Sequence, residues 1–199
     1  MLKLALFINV AIVILEVYTL AHIKGKQNIL KYYTYLQNLI ALIASLLFSV
    51  CLASGRTVPE YAKGLRYLAT CGLAATMFIF VVFLGAGKKI AITQDDFLGD
   101  FSPKRANMIL HYLCPALSLV SFVFFEREIS LSNGIWTGLA AIPSCAYWIV
   151  YLILTGAKLW EEPYRFTSAG QKTTGRDVLT MVMLPLSFMA ISFVLWNIQ

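Results

Sequence analysis

The sequence predicts an all-α membrane protein, a bundle of six transmembrane helices, and three observations carry that reading. The chain is 59% hydrophobic and only 13% charged, with a mean hydropathy of +0.75. A 199-residue globular domain has no place for so much apolar surface, and lipid does. Apolar runs near the ~20 residues needed to cross a bilayer recur six times. Between them lie short polar connections, with no internal repeat, low-complexity tract or soluble segment, so residues 1–199 read as a single integral membrane domain.

The runs fall at Leu4–His22, Tyr33–Ala53, Leu65–Ala86, Ala106–Phe125, Gly134–Gly156 and Val178–Ile198. Glu16 interrupts the first run and no A-x-A cleavage site follows it, which favours a helix over a signal peptide. The second opens with the polar stretch YYTYLQN, and the fourth holds His111 four residues before Pro115. A proline has no N–H to give to the His111 carbonyl, so a kink is expected there. The sixth opens behind Asp177. Tyr and Trp residues gather near the span ends, as in an aromatic belt. The cysteines, Cys51, Cys71, Cys114 and Cys145, show no CxxC or zinc-finger spacing, so neither a disulfide framework nor a structural metal is expected.

The net charge of +6 would suggest nucleic acid in a soluble protein. Here it reads as loops held at an anionic membrane surface, with no nucleic-acid partner. Five basic residues (Lys3, Arg56, Lys63, Arg66 and Arg127) belong to the N-terminus and to the second and fourth loops. The other eleven belong to the first, third and fifth loops. The positive-inside rule then places those three loops in the cytoplasm and both termini outside.

Depth gives the sharper result. His111 lies about six residues into its span, ~9 Å below the surface at 1.5 Å per residue. Thr34 is near the start of the second span, Glu16 near the end of the first, and Asp177 at the start of the sixth. Trp160, Glu161, Glu162, Tyr164 and Arg165 follow the fifth span on the same side. These groups come from helices of alternating direction, yet they share one leaflet, while the other leaflet reads as dry. Thr34, Gln37, Asn38 and Ala41 form one helical stripe, and His111, Cys114, Pro115 and Ser118 another.

Facing stripes would assemble the parts of acyl transfer. A hydroxyl is a weak nucleophile until a base takes its proton, and neutral His does that near pH 7. Asn38 or Gln37 would donate to the oxyanion, and Glu16 or Asp177 would orient the imidazole. Each residue also has a plainer reading. A membrane histidine can simply bond a neighbouring helix, and Thr34 can pack or start a helix. Glu16 is costly in lipid and should point inward, toward a structural partner or a catalytic one. Cys114 could pair with His111, but two histidines and no second thiol nearby make a poor metal set. No metal or cofactor is expected.

Three stretches carry a resemblance: YYTYLQN (Tyr32–Asn38), LHYLCPAL (Leu110–Leu117) and YWIVYLILTGAKLWEEPYRF (Tyr147–Phe166). With them the chain resembles the androgen-induced protein family, six-span membrane proteins that hydrolyse fatty acid esters of hydroxy fatty acids with a threonine and a histidine. The resemblance implies Thr34 as nucleophile, His111 as base, and a lipid substrate drawn from the bilayer, with Trp160, Tyr164 and Arg165 at the pocket mouth. The chain differs from the family's animal members in carrying Gln37 where they have an acidic residue, and in a histidine-to-proline spacing shorter by one. Two other classes compete with the hydrolase. One is a transporter or ion path through Glu16, His111 and Asp177, which should show polar groups in both leaflets and, in many folds, an inverted repeat. The other is a non-catalytic scaffold whose polar residues only join helices.

Overall fold

A computed structural model describes residues 1–22, 31–84, 103–129, 131–160 and 175–199; within these, nothing is drawn from the side chains at 83, 84, 103, 104, 175–177 and 180. Six long helices follow one another. They are α1 (Leu2–His22), α2 (Tyr33–Ala53), α3 (Glu60–Ile79, extended by a π-turn over Phe80–Leu84), α4, α5 (Ile135–Gly156) and α6 (Gly175–Ile198). Helix α4 is composite: Pro103–Met108, a π-turn at Ile109–Leu113, Cys114–Val120 and a second π-turn at Ser121–Phe125. A short 3-10 turn, Arg127–Ile129, follows it, and no strand occurs among the described residues. All six helices are long and apolar enough to cross a membrane, so the chain is an all-α, multi-pass membrane protein.

Helix α3 sits at the centre, packed on α2, α4, α5 and α6, while α1 closes the bundle against α2 and α4. It is also the span most buried inside the protein, 56% of its apolar window against 22% for α6. The pattern is turned inside out relative to a soluble bundle. On α1 the buried stripe is Ala5, Asn9, Ile12, Glu16 and Thr19, whereas Phe7, Ile14 and Val17 face outward. On α2 it runs from Thr34 through Gln37, Asn38, Ala41 and Ser45 to Ser49. Polar groups are cheaper against one another than against hydrocarbon, so the amphipathic stripes set which faces meet.

The α2 bounds agree with the apolar run, but α3 begins five residues before the predicted Leu65. Pro59, extended at the cap, and Glu60 at the positive end of the helix start it. Arg66 is therefore a buried residue of α3 and not part of the second loop. A π-turn at Ile109–Leu113 lies where the kink is expected. In it the Cys114 N–H bonds the Ile109 carbonyl, five residues back, so the helix passes Pro115 without breaking.

Candidate active site

Thr34 stands in the first turn of α2 and His111 in the middle of the first π-turn of α4. Their side chains meet: Thr34 Oγ1 lies 3.0 Å from His111 Nε2. The other ring nitrogen, Nδ1, is 2.9 Å from the Asn107 carbonyl oxygen. A carbonyl only accepts, so Nδ1 carries the proton and Nε2 of the neutral ring accepts a hydrogen bond from the Thr34 hydroxyl. That is the tautomer a general base requires. The ring of Phe80, brought in by the π-turn of α3, packs on the imidazole with centroids 4.2 Å apart.

Both residues line a small cavity of about 20 Å³, room for about one water. Its other walls are Tyr33, Thr76, Ile79, Phe80, Tyr147, Trp148, Leu184 and Phe188, contributed by α2, α3, α5 and α6. The aromatic part is knit together. Tyr33 lies 5.6 Å from Phe188 and 5.3 Å from Tyr147, ring to ring, and its hydroxyl shares a 2.7 Å bond with Ser144. The Tyr147 hydroxyl donates to the Lys31 carbonyl and the Trp148 indole N–H to that of Met181. The polar tips are thus tied to backbone or, for Tyr33, to Ser144, and the rings present apolar faces to the cavity.

The remaining candidates fall elsewhere. Asn38 does not line the cavity; its amide nitrogen donates to the carbonyls of Thr34 (2.7 Å) and Leu110 (3.4 Å). Gln37 is fully buried against Gly72 of α3, and neither end of its amide has a hydrogen bond. The expected oxyanion role of these two carboxamides therefore does not match where they point. Thr34 itself stands in the first turn of α2, at the positive end of that helix's dipole. Glu16 does not orient the imidazole, a place the Asn107 carbonyl takes; its buried carboxyl lies beside the Cys114 thiol, and neither oxygen has a hydrogen bond of regular geometry. Cys114 thus faces Glu16 in place of the considered pairing with His111. Trp160 is half-buried in the turn ending α5, while Tyr164, Arg165 and the Asp177 side chain lie outside what is described. No group of three or more His, Cys, Asp or Glu side chains gathers among the described residues.

Ser118 belongs to a different assembly, toward the other end of the bundle, where no polar groups are expected from the sequence. The Arg66 guanidinium donates to Ser118 Oγ (2.7 Å), to Thr70 Oγ1 (2.8 Å) and twice to one oxygen of Glu126 (3.0 and 3.2 Å). That same oxygen accepts from Asn9 and Ser121. Asn9 and Arg66 are missed in the sequence: the signal for Asn9 is its place seven residues before Glu16 on the same face of α1, and Arg66 is hidden by its assignment to a loop.

The fold and site define a multi-pass membrane protein with a buried Thr–His pair on an aromatic-lined cavity. No family model, curated protein or solved structure matches the chain.

Proposed function

We propose that the chain is an intramembrane hydrolase of fatty acid esters of hydroxy fatty acids, or of similar long-chain esters, and a relative of the androgen-induced protein family. What supports the reading above all is the Thr34–His111 contact, with the proton on Nδ1 held by Asn107. An ester entering sideways from the leaflet parts the aromatic side chains around the small cavity and brings its carbonyl to Thr34. Thr34 Oγ1 attacks the carbonyl carbon while its proton passes to His111 Nε2. The oxyanion forms at the first turn of α2. Collapse expels the hydroxy-acid alcohol, which takes the proton from Nε2, and leaves an acyl-threonine. Water then gives a proton to Nε2, attacks the acyl carbon and releases the fatty acid, and the proton returns to Thr34. By the positive-inside bias the site belongs to the cytoplasmic leaflet, with both termini extracytoplasmic.

The purified protein in detergent should cleave a long-chain ester of a hydroxy fatty acid, and Thr34→Ala and His111→Ala should each lower the rate about 10²–10⁴-fold. Undiminished cleavage in either variant would refute the proposal. A second reading, an ion or proton path, gains from the Arg66–Glu126 group, which adds charged side chains inside the bundle away from Thr34. All three Arg66 nitrogens donate to protein acceptors, however, which suits a lock better than a path. Proton flux into liposomes abolished by Glu16→Gln would favour it.

A further inference from the structure

Asn38 looks at first like one more buried amide, but the bonds around Pro115 give it a specific task. In a regular α-helix the Leu110 carbonyl would accept from the Cys114 N–H. The π-turn sends that N–H to Ile109 instead. In the π register the Leu110 carbonyl would accept from residue 115, which is proline and has no N–H. Both intrahelical donors are thereby removed, one residue before His111. The Asn38 amide nitrogen reaches across from α2 to this carbonyl, at 3.4 Å. The same nitrogen donates at 2.7 Å to the carbonyl of Thr34 itself. Both partners are carbonyls, so the end of the amide facing them is the one with the N–H groups. The side chain is fully buried, so its amide depends on protein partners.

We infer that Asn38 is a positioning residue: it bridges the main chain of the nucleophile to the main chain beside the base, and so holds the Thr34–His111 distance. The catalytic half of this rests on the hydrolase reading; the bond to the carbonyl orphaned by Pro115 stands without it. The effect on rate should be large, because displacing a reacting pair by 1 Å costs about 100-fold.

The test uses Asn38→Leu, which keeps the volume and removes both donors, with and without Pro115→Ala, which gives α4 an N–H to offer. Asn38→Ser, keeping one donor, serves if leucine is not accommodated, and should show smaller losses. In otherwise native protein, Asn38→Leu should lower the thermal midpoint by about 3–6 °C, and by clearly less when Pro115→Ala is present. It should also slow fluorophosphonate labelling of Thr34 about 100-fold in folded protein. Equal midpoint losses in the two backgrounds would overturn the bridge to Leu110. Coupled midpoints with an unchanged labelling rate would overturn the positioning role and leave a strut. Native protein whose Thr34 never labels would remove the hydrolase reading, and the positioning role with it, while the midpoints still decide the bridge.

Discussion

At the scale of single residues, the site depends on what each end of the imidazole touches. Asn107 is asked only for its carbonyl, so its side chain should be replaceable: Asn107→Ala should label at Thr34 within about threefold of native, since removing a side chain leaves that backbone bond in place. A fall as large as that of His111→Ala would show that the ring is oriented by something else. Phe80 holds the other face of the ring. Phe80→Ala should leave Thr34 reactive but slower by about tenfold, because a loosened ring spends less time aligned. Thr34 and His111 were legible because a hydroxyl and an imidazole at matching depth are scarce in spans this apolar. Phe80 and the Asn107 carbonyl were not, since one is an ordinary apolar residue and the other a main-chain atom. Asn38 was noticed as a polar stripe member, but its target is a carbonyl freed by a π-turn, which spacing alone does not reveal.

At the scale of the helices, the central α3 carries the two tightest constraints. Gly72 admits Gln37 of α2 so closely that an added methyl would collide with its amide oxygen. Gly72→Ala should therefore cost roughly 1–3 kcal/mol of stability, and Gln37→Ala in the same chain should recover most of it. An unchanged melting curve for Gly72→Ala would mean that α2 and α3 do not approach this closely. At the other end of α3, Arg66 and Glu126 are a buried pair whose attraction and hydrogen bonds offset their dehydration. Arg66→Met strands the carboxylate and should cost about 3–5 kcal/mol, while Arg66→Met with Glu126→Met should cost much less. Equal losses would deny the coupling. The early start of α3 explains why this pair stayed hidden: Pro59–Glu60 is a good helix start, yet the apolar run that marks the span begins later, at Leu65. The π-turns were equally out of reach, except that Pro115 announced some irregularity in α4.

At the scale of the whole molecule, the six-helix plan followed from hydropathy because a bilayer of fixed thickness demands runs of a fixed length, and the α2 run gave its bounds to the residue. What hydropathy leaves open is how six apolar cylinders pack, and here polar stripes decide. They gather Thr34 and His111 with the aromatic cavity at one end, and Arg66, Glu126 and Asn9 at the other. The first assembly is walled mostly by apolar and aromatic side chains around a small cavity; the second is a dense network of charged and polar side chains. The proposed orientation has its own consequence: in a chain stripped of native cysteines, Arg56→Cys should react with a membrane-impermeant maleimide from outside intact cells, and Lys88→Cys only after lysis. The opposite pattern would move the site to the outer leaflet.

The central claim, an activated threonine inside the membrane, is tested most directly by treating detergent-purified protein with a fluorophosphonate and locating the adduct by mass spectrometry. The account predicts an adduct on Thr34 that disappears in His111→Ala. An adduct on Cys114 or elsewhere, or none on protein shown to be folded, would contradict it.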